Sequence, residues 1–148
     1  MDPTILGHRQ KPPLECGVFQ AWILDDGNGT AGKSGVMEFA VVPRSNPPPP
    51  HVHHELVESF YILDGEVELW AEGETRGAGP GTFVQIPAGT AHTYHNPGDR
   101  ELRFLAFFTP ADFVGFFREL EVLVRTGQMN PAANSALLNK YDTDVVKR

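Results

Sequence analysis

The chain has 148 residues, of which 15 are Gly and 13 are Pro; that length fits one domain around a single core. Its formal charge of −7, from 12 basic and 19 acidic side chains, lacks the basic footprint that nucleic-acid binding requires, and an anionic membrane surface would repel it. One cysteine, Cys16, excludes an intramolecular disulfide framework and a thiolate zinc cluster.

No apolar run approaches the roughly 20 residues that span a bilayer. The opening MDPTILGHRQKPP lacks the basic-then-apolar order of a signal peptide, so a soluble, cytoplasmic protein is expected. Residues 1–13 are polar and proline-bearing and read as an extended arm, either disordered or laid along a neighbouring subunit.

Residues 14–109 read as one β unit. CGVFQAWIL (16–24) and VMEFAVV (36–42) are rich in β-formers, and four prolines at 47–50 stiffen the approach to His51. Further strands are predicted at 57–63, 66–72, 81–86, 92–96 and 101–108, separated by Gly-, Pro- and Asp-bearing turns. Short strands at regular intervals without helical periods predict a sandwich or barrel. In the last strand Leu102, Phe104, Ala106 and Phe108 share one face and Leu105 and Phe107 the other, which predicts burial on both sides.

The period changes at Thr109. Phe113, Phe116, Phe117, Leu120 and Val124 form one helical stripe. Thr109, Pro110 and Asp112 fit an N-cap, a first-turn proline and a capping-box acid, with Gly127 as the stop. Asn130-Pro131 opens a second, shorter helix through Tyr141. Residues 110–148 are therefore expected to be a helical extension of the same domain.

GNGTAGKS (27–34) matches the phosphate-loop pattern literally. That pattern needs a following helix N-terminus, and here a strand follows. A hairpin tip is the expectation, without nucleotide binding.

Five of the six histidines fall between His51 and His95. If residues 51–53 are extended, the His51 and His53 imidazoles face one side. Glu58, Phe60 and Ile62 then share a face of the next strand. Two imidazoles and a carboxylate from adjacent strands make half of a transition-metal site. His92 follows a tight turn at Pro87 and Gly89. By parity His54 opposes His53 and His95 opposes His92, while Tyr94 shares the His92 face. Phe60 and Ile62 are expected to line a pocket on the Glu58 face; Tyr94 either orients a substrate by its hydroxyl or packs in the core.

The spacing carries more than the single residues. His51-x-His53-x4-Glu58-x6-Gly65 is followed by Gly81-x5-Pro87-x-Gly89-x2-His92-x3-Asn96. These stretches resemble the two signature motifs of the cupin superfamily, and the 15 residues between Gly65 and Gly81 resemble the spacing of microbial single-domain cupins. The resemblance implies a mainly β fold, a small jelly-roll barrel with a metal site in its mouth. It also implies that His51, His53, Glu58 and His92 are the metal ligands. Three imidazoles and a carboxylate suit one divalent Fe, Mn, Co, Ni, Cu or Zn ion per chain. Four protein donors leave coordination positions open, which favours catalysis over a structural role.

The complete ligand set and the Phe-Phe-Arg-Glu-Leu segment (116–120) resemble bacterial monocupins grouped with quercetin 2,3-dioxygenase. That resemblance implies an oxygen-dependent dioxygenase acting on a phenolic molecule, with Glu58 as both ligand and general base. Cupins that cyclise aromatic polyketides look similar in size, so a non-redox cyclase, isomerase or lyase is the alternative, and a small-molecule binding module a third. The family's habit of pairing through sheet edges implies a homodimer.

Overall fold

The structure is a computed structural model and describes residues 2–148. Two antiparallel sheets face one another. The first contains β1 (Leu14–Glu15), β2 (Phe19–Asp25), β3 (Gly35–Val41), β5 (Val57–Asp64), β8 (Phe83–Ile86) and β10 (Leu102–Thr109), in the order β1-β2-β3-β10-β5-β8. The second contains β4 (His51–His53), β6 (Val67–Ala71), β7 (Glu74–Ala78), β9 (His92–His95) and β11 (Thr143–Val145), in the order β11-β4-β9-β6-β7. This is the expected jelly-roll arrangement.

Register explains the core. Across the first sheet Phe104 pairs with Phe39 and Ile62, Ala106 with Met37 and Phe60, and Phe108 with Glu58. The period of two therefore points Met37, Phe39, Phe60, Ile62, Phe104 and Phe108 into one interior, where each is at most 2% exposed. Gly65 turns β5 into β6 at φ 79°, and a Cβ there would lie 2.6 Å from the Glu101 carbonyl oxygen.

The outer face of β10 differs from the expectation of burial on both sides. Phe107 is 36% exposed and Leu105 half-buried, because no layer covers this part of the sheet. The N-terminal arm covers another part. Arg9 lies over the Trp22 ring at 4.1 Å, and Arg103, His8 and Arg9 surround the buried Glu38 carboxylate at 3.0, 3.4 and 3.6 Å. The arm thus packs along its own sheet, where its cations answer the Glu38 carboxylate. Residues 27–34 join β2 to β3 through a short turn at Asn28–Thr30, and no helix follows.

The C-terminal part corrects two further expectations. Thr109 ends β10, paired with Val57, so it is not a helix cap; a 3-10 turn over Ala111–Phe113 leads into α1 (Val114–Arg125) without a side-chain cap. Asn130 does cap α2 (Pro131–Lys140), accepting from the Ala133 amide at 2.9 Å. After α2 the chain returns to the barrel as β11, which the sequence reading missed along with β7. Helix α1 packs inward: Phe117 meets Phe39 at 5.1 Å and Phe108 at 5.7 Å between ring centroids. It covers the open side of the interior rather than the outer wall. Among the described residues no helix is long and apolar enough to cross a membrane.

Candidate metal centre

His51 and His53 stand on β4 and His92 on β9, with His51 and His92 directly paired. Alternation on β4 sends both imidazoles inward, and Val52 between them away. Glu58 reaches the same point from β5 in the opposite sheet. One donor atom from each of the four residues lies within 4.8 Å of every other. All four side chains are buried, from 9% exposed at His51 to 0% at His92.

The outward nitrogen of each imidazole is tied to an oxygen. His51 Nδ1 lies 3.1 Å from the Pro49 carbonyl, His92 Nδ1 lies 2.9 Å from the Thr90 carbonyl, and His53 Nδ1 lies 2.7 Å from Thr143 Oγ1. Carbonyls only accept, so Nδ1 carries the proton in His51 and His92. Thr143 donates its own hydroxyl proton to the Tyr141 carbonyl at 2.9 Å, so its oxygen accepts from His53 as well. In the neutral form all three rings therefore present Nε2 lone pairs to the interior.

Those lone pairs meet another acceptor. Glu58 Oε2 lies 3.2 Å from His53 Nε2 and 3.1 Å from His92 Nε2. Two acceptors at that distance in a buried site require a cation between or beside them, either a proton on an imidazole or a metal ion. The donor set fits a transition metal: three imidazole nitrogens and one carboxylate, each imidazole braced from behind.

The charges behave accordingly. Burial pushes the Glu58 carboxyl upward, but hydrogen bonds from His53 and His92 outweigh it and hold the group well below the usual carboxylate range. Burial lowers His92 while Glu58 raises it, with a net upward shift. His51, buried and facing His92 and His53, is pushed down to about 4 and stays neutral near neutrality.

Phe60 and Ile62 share the Glu58 face, but at 1% and 0% exposure they are packed into the core and do not line the cavity beside Tyr94. The Phe60 ring lies between Tyr94 at 4.8 Å and Phe104 at 5.0 Å. Tyr94 shares the His92 face and lines a cavity of 160 Å³ with Phe39, Val41, Pro48 and Phe104. Burial, reinforced by the Glu58 charge, raises its phenol well above the ordinary range and keeps it a proton donor. His54 points outward to Asp144 at 2.8 Å and His95 toward Glu68 at 3.9 Å, both outside the cluster.

Two residues at the cluster escaped the sequence reading. Thr143 lies 90 positions from His53, on a three-residue strand after a helix, and no local spacing marks it. Phe113 closes the interior side with its ring 4.6 Å from that of His53; it was legible only as part of the helical stripe. Asn96, a motif position, is structural: its Nδ2 donates to the carbonyls of Val41, Val42 and Arg100, tying the loop after β9 to the end of β3.

Fold and cluster together define a jelly-roll barrel able to hold a metal ion at its centre. Residues 37–108 match the cupin domain family, and the chain belongs to the cupin superfamily. A 70-residue stretch is 33% identical to quercetin 2,3-dioxygenase of Bacillus subtilis (strain 168), covering 47% of this chain and 20% of that enzyme. The chain spans between a fifth and a half of the curated relatives it matches. Among solved structures, KdgF from Halomonas sp. superposes with a TM-score of 0.65 at 17% identity, covering 74% of this chain and 94% of that one. The polyketide cyclase RemF from Streptomyces resistomycificus superposes with a TM-score of 0.55 at 25% identity, covering 66% and 79%.

Proposed function

We propose that the protein is a metal-dependent enzyme acting on a small aromatic or phenolic molecule, by an oxygen-dependent, quercetinase-like dioxygenation. The observation that carries this reading is the set of four buried donors aimed at one point. It is supported by the similarity of a 70-residue stretch to the Bacillus subtilis enzyme.

When bound, a divalent transition metal supplies Lewis acidity toward a substrate oxygen and, where redox-active, one-electron chemistry with dioxygen. His51, His53, Glu58 and His92 would hold it. Glu58 would be both ligand and general base, its carboxylate taking the proton of a phenolic hydroxyl brought beside it. Tyr94 keeps its proton and donates a hydrogen bond to a substrate oxygen. Phe60, Ile62 and Phe104 are packed into the barrel interior on the Glu58 face and exclude water there.

The test is oxygen uptake by the metal-loaded protein with a flavonol as probe. The reading predicts consumption of oxygen in step with loss of the flavonol. No uptake with the Fe-, Mn-, Co-, Ni- and Cu-loaded forms would overturn it. A second reading, a non-redox cyclase, isomerase or lyase, is favoured by the likeness to RemF, and predicts oxygen-independent turnover of a polyketide or sugar by the zinc form.

A further inference from the structure

Three imidazoles are braced at Nδ1, but not in the same way. His51 and His92 are held by carbonyls two residues back in their own turns, Pro49 and Thr90, so those braces form wherever the local turn forms. His53 takes its acceptor from Thr143, on a strand that arrives only after both helices.

That strand is docked specifically. β11 pairs with β4 in the register Thr143 to His53, Asp144 to Val52 and Val145 to His51. The flanking backbone continues the ladder, with the His54 amide donating to the Asp142 carbonyl at 3.1 Å and the Val146 amide to the Pro50 carbonyl at 2.8 Å. Thr143 is 1% exposed, and its hydroxyl proton is engaged by the Tyr141 carbonyl. The hydroxyl is therefore oriented with its lone pairs toward Nδ1. Without it, the buried Nδ1–H has no acceptor, and His53 gains by turning its ring or exchanging tautomer, either of which removes a lone pair from the centre.

From this asymmetry we infer that Thr143 is a positioning residue for the metal ligand His53, so that the C-terminal strand is a working part of the metal centre. The inference rests on the four-donor metal reading above. A β-branched hydroxyl residue suits the place, because it favours the extended edge strand and carries the acceptor. The strand and the metal thereby stabilise one another, since each selects the same orientation of the His53 ring.

The test is titration of the full-length chain with Co(II), followed by visible absorption, which reads both affinity and ligand geometry. Thr143→Val keeps the shape and removes the acceptor; it is expected to weaken Co(II) binding by about 10- to 100-fold and to change the d–d bands. Thr143→Ser restores the hydroxyl and is expected to return both to wild type. Val145→Ala trims the same strand but leaves the hydroxyl, and is expected to keep the wild-type spectrum. Wild-type affinity and bands in Thr143→Val, or the same loss in Val145→Ala, would overturn the inference while leaving the metal reading intact. Absence of Co(II) binding by the wild type would overturn both. Should Thr143→Val not fold, imidazole nitrogen-15 spectra of the zinc-loaded wild type decide: His53 protonated at Nδ1 supports the assignment, and protonated at Nε2 overturns it.

Discussion

Glu58 Oε2 lies 3.1 Å from His92 Nε2, and the two residues stand on opposite sheets of the barrel. A metal held there joins the sheets through the interior rather than along an edge. Binding to the folded state alone then stabilises it, by about 2.7 kcal/mol when the free metal is at 100 times its Kd. For a chain of this size that raises Tm by roughly 5–10 °C.

Replacing His51 or His92 with Ala removes an imidazole donor from the centre. Each variant is expected to lose most of its bound metal and the metal-dependent rise in Tm. Elemental analysis and thermal melts with and without added metal check this. Full occupancy in either variant would place the ion elsewhere.

Glu58→Gln separates holding from proton transfer. The amide oxygen still coordinates weakly, but the group cannot accept a proton near neutrality. Partial metal content with no measurable turnover is the expected result. Turnover close to wild type would reduce Glu58 to a ligand at most.

The inward packing of α1 gives a contrast in stability. Phe117 is 5% exposed and touches Phe39 and Phe108, whereas Phe107 on the outer face is 36% exposed. Urea unfolding is expected to show a loss of about 3–5 kcal/mol for Phe117→Ala. Phe107→Ala should cost about 1 kcal/mol. Equal losses would mean that the helix does not seal the interior.

The motif ligands were legible because alternation within β4 and β9 is local, and it also placed His54 and His95 outward and Tyr94 inward. The exposed side of β10 was not legible. A strand that is apolar on both faces reads the same whether or not a layer covers it, and only the assembled sheets show Phe107 open. The capping expectation failed because Thr109 serves a strand ladder with Val57, which no local pattern shows. Strand β11 was hidden for the same reason. Its three residues are extended only because β4 lies beside them.

Cys16 tests the packing beneath α1. Burial first, and the charges of Glu121 and Glu15 second, push its thiol up to about 12. The thiolate is the reactive form, so a raised pKa means less of it at any pH below 12. At pH 8 alkylation by iodoacetamide is expected to run about a thousandfold slower in the native protein than in denaturant. Similar rates would show the thiol exposed and the helix loosely docked.

The most direct measurement is the metal content of protein purified without chelators or an affinity tag. The four-donor cluster predicts close to one divalent transition metal per chain, with Fe, Mn, Co, Ni or Cu favouring the dioxygenase and Zn the Lewis-acid chemistry. No bound metal, even after reconstitution, would contradict the account at its centre.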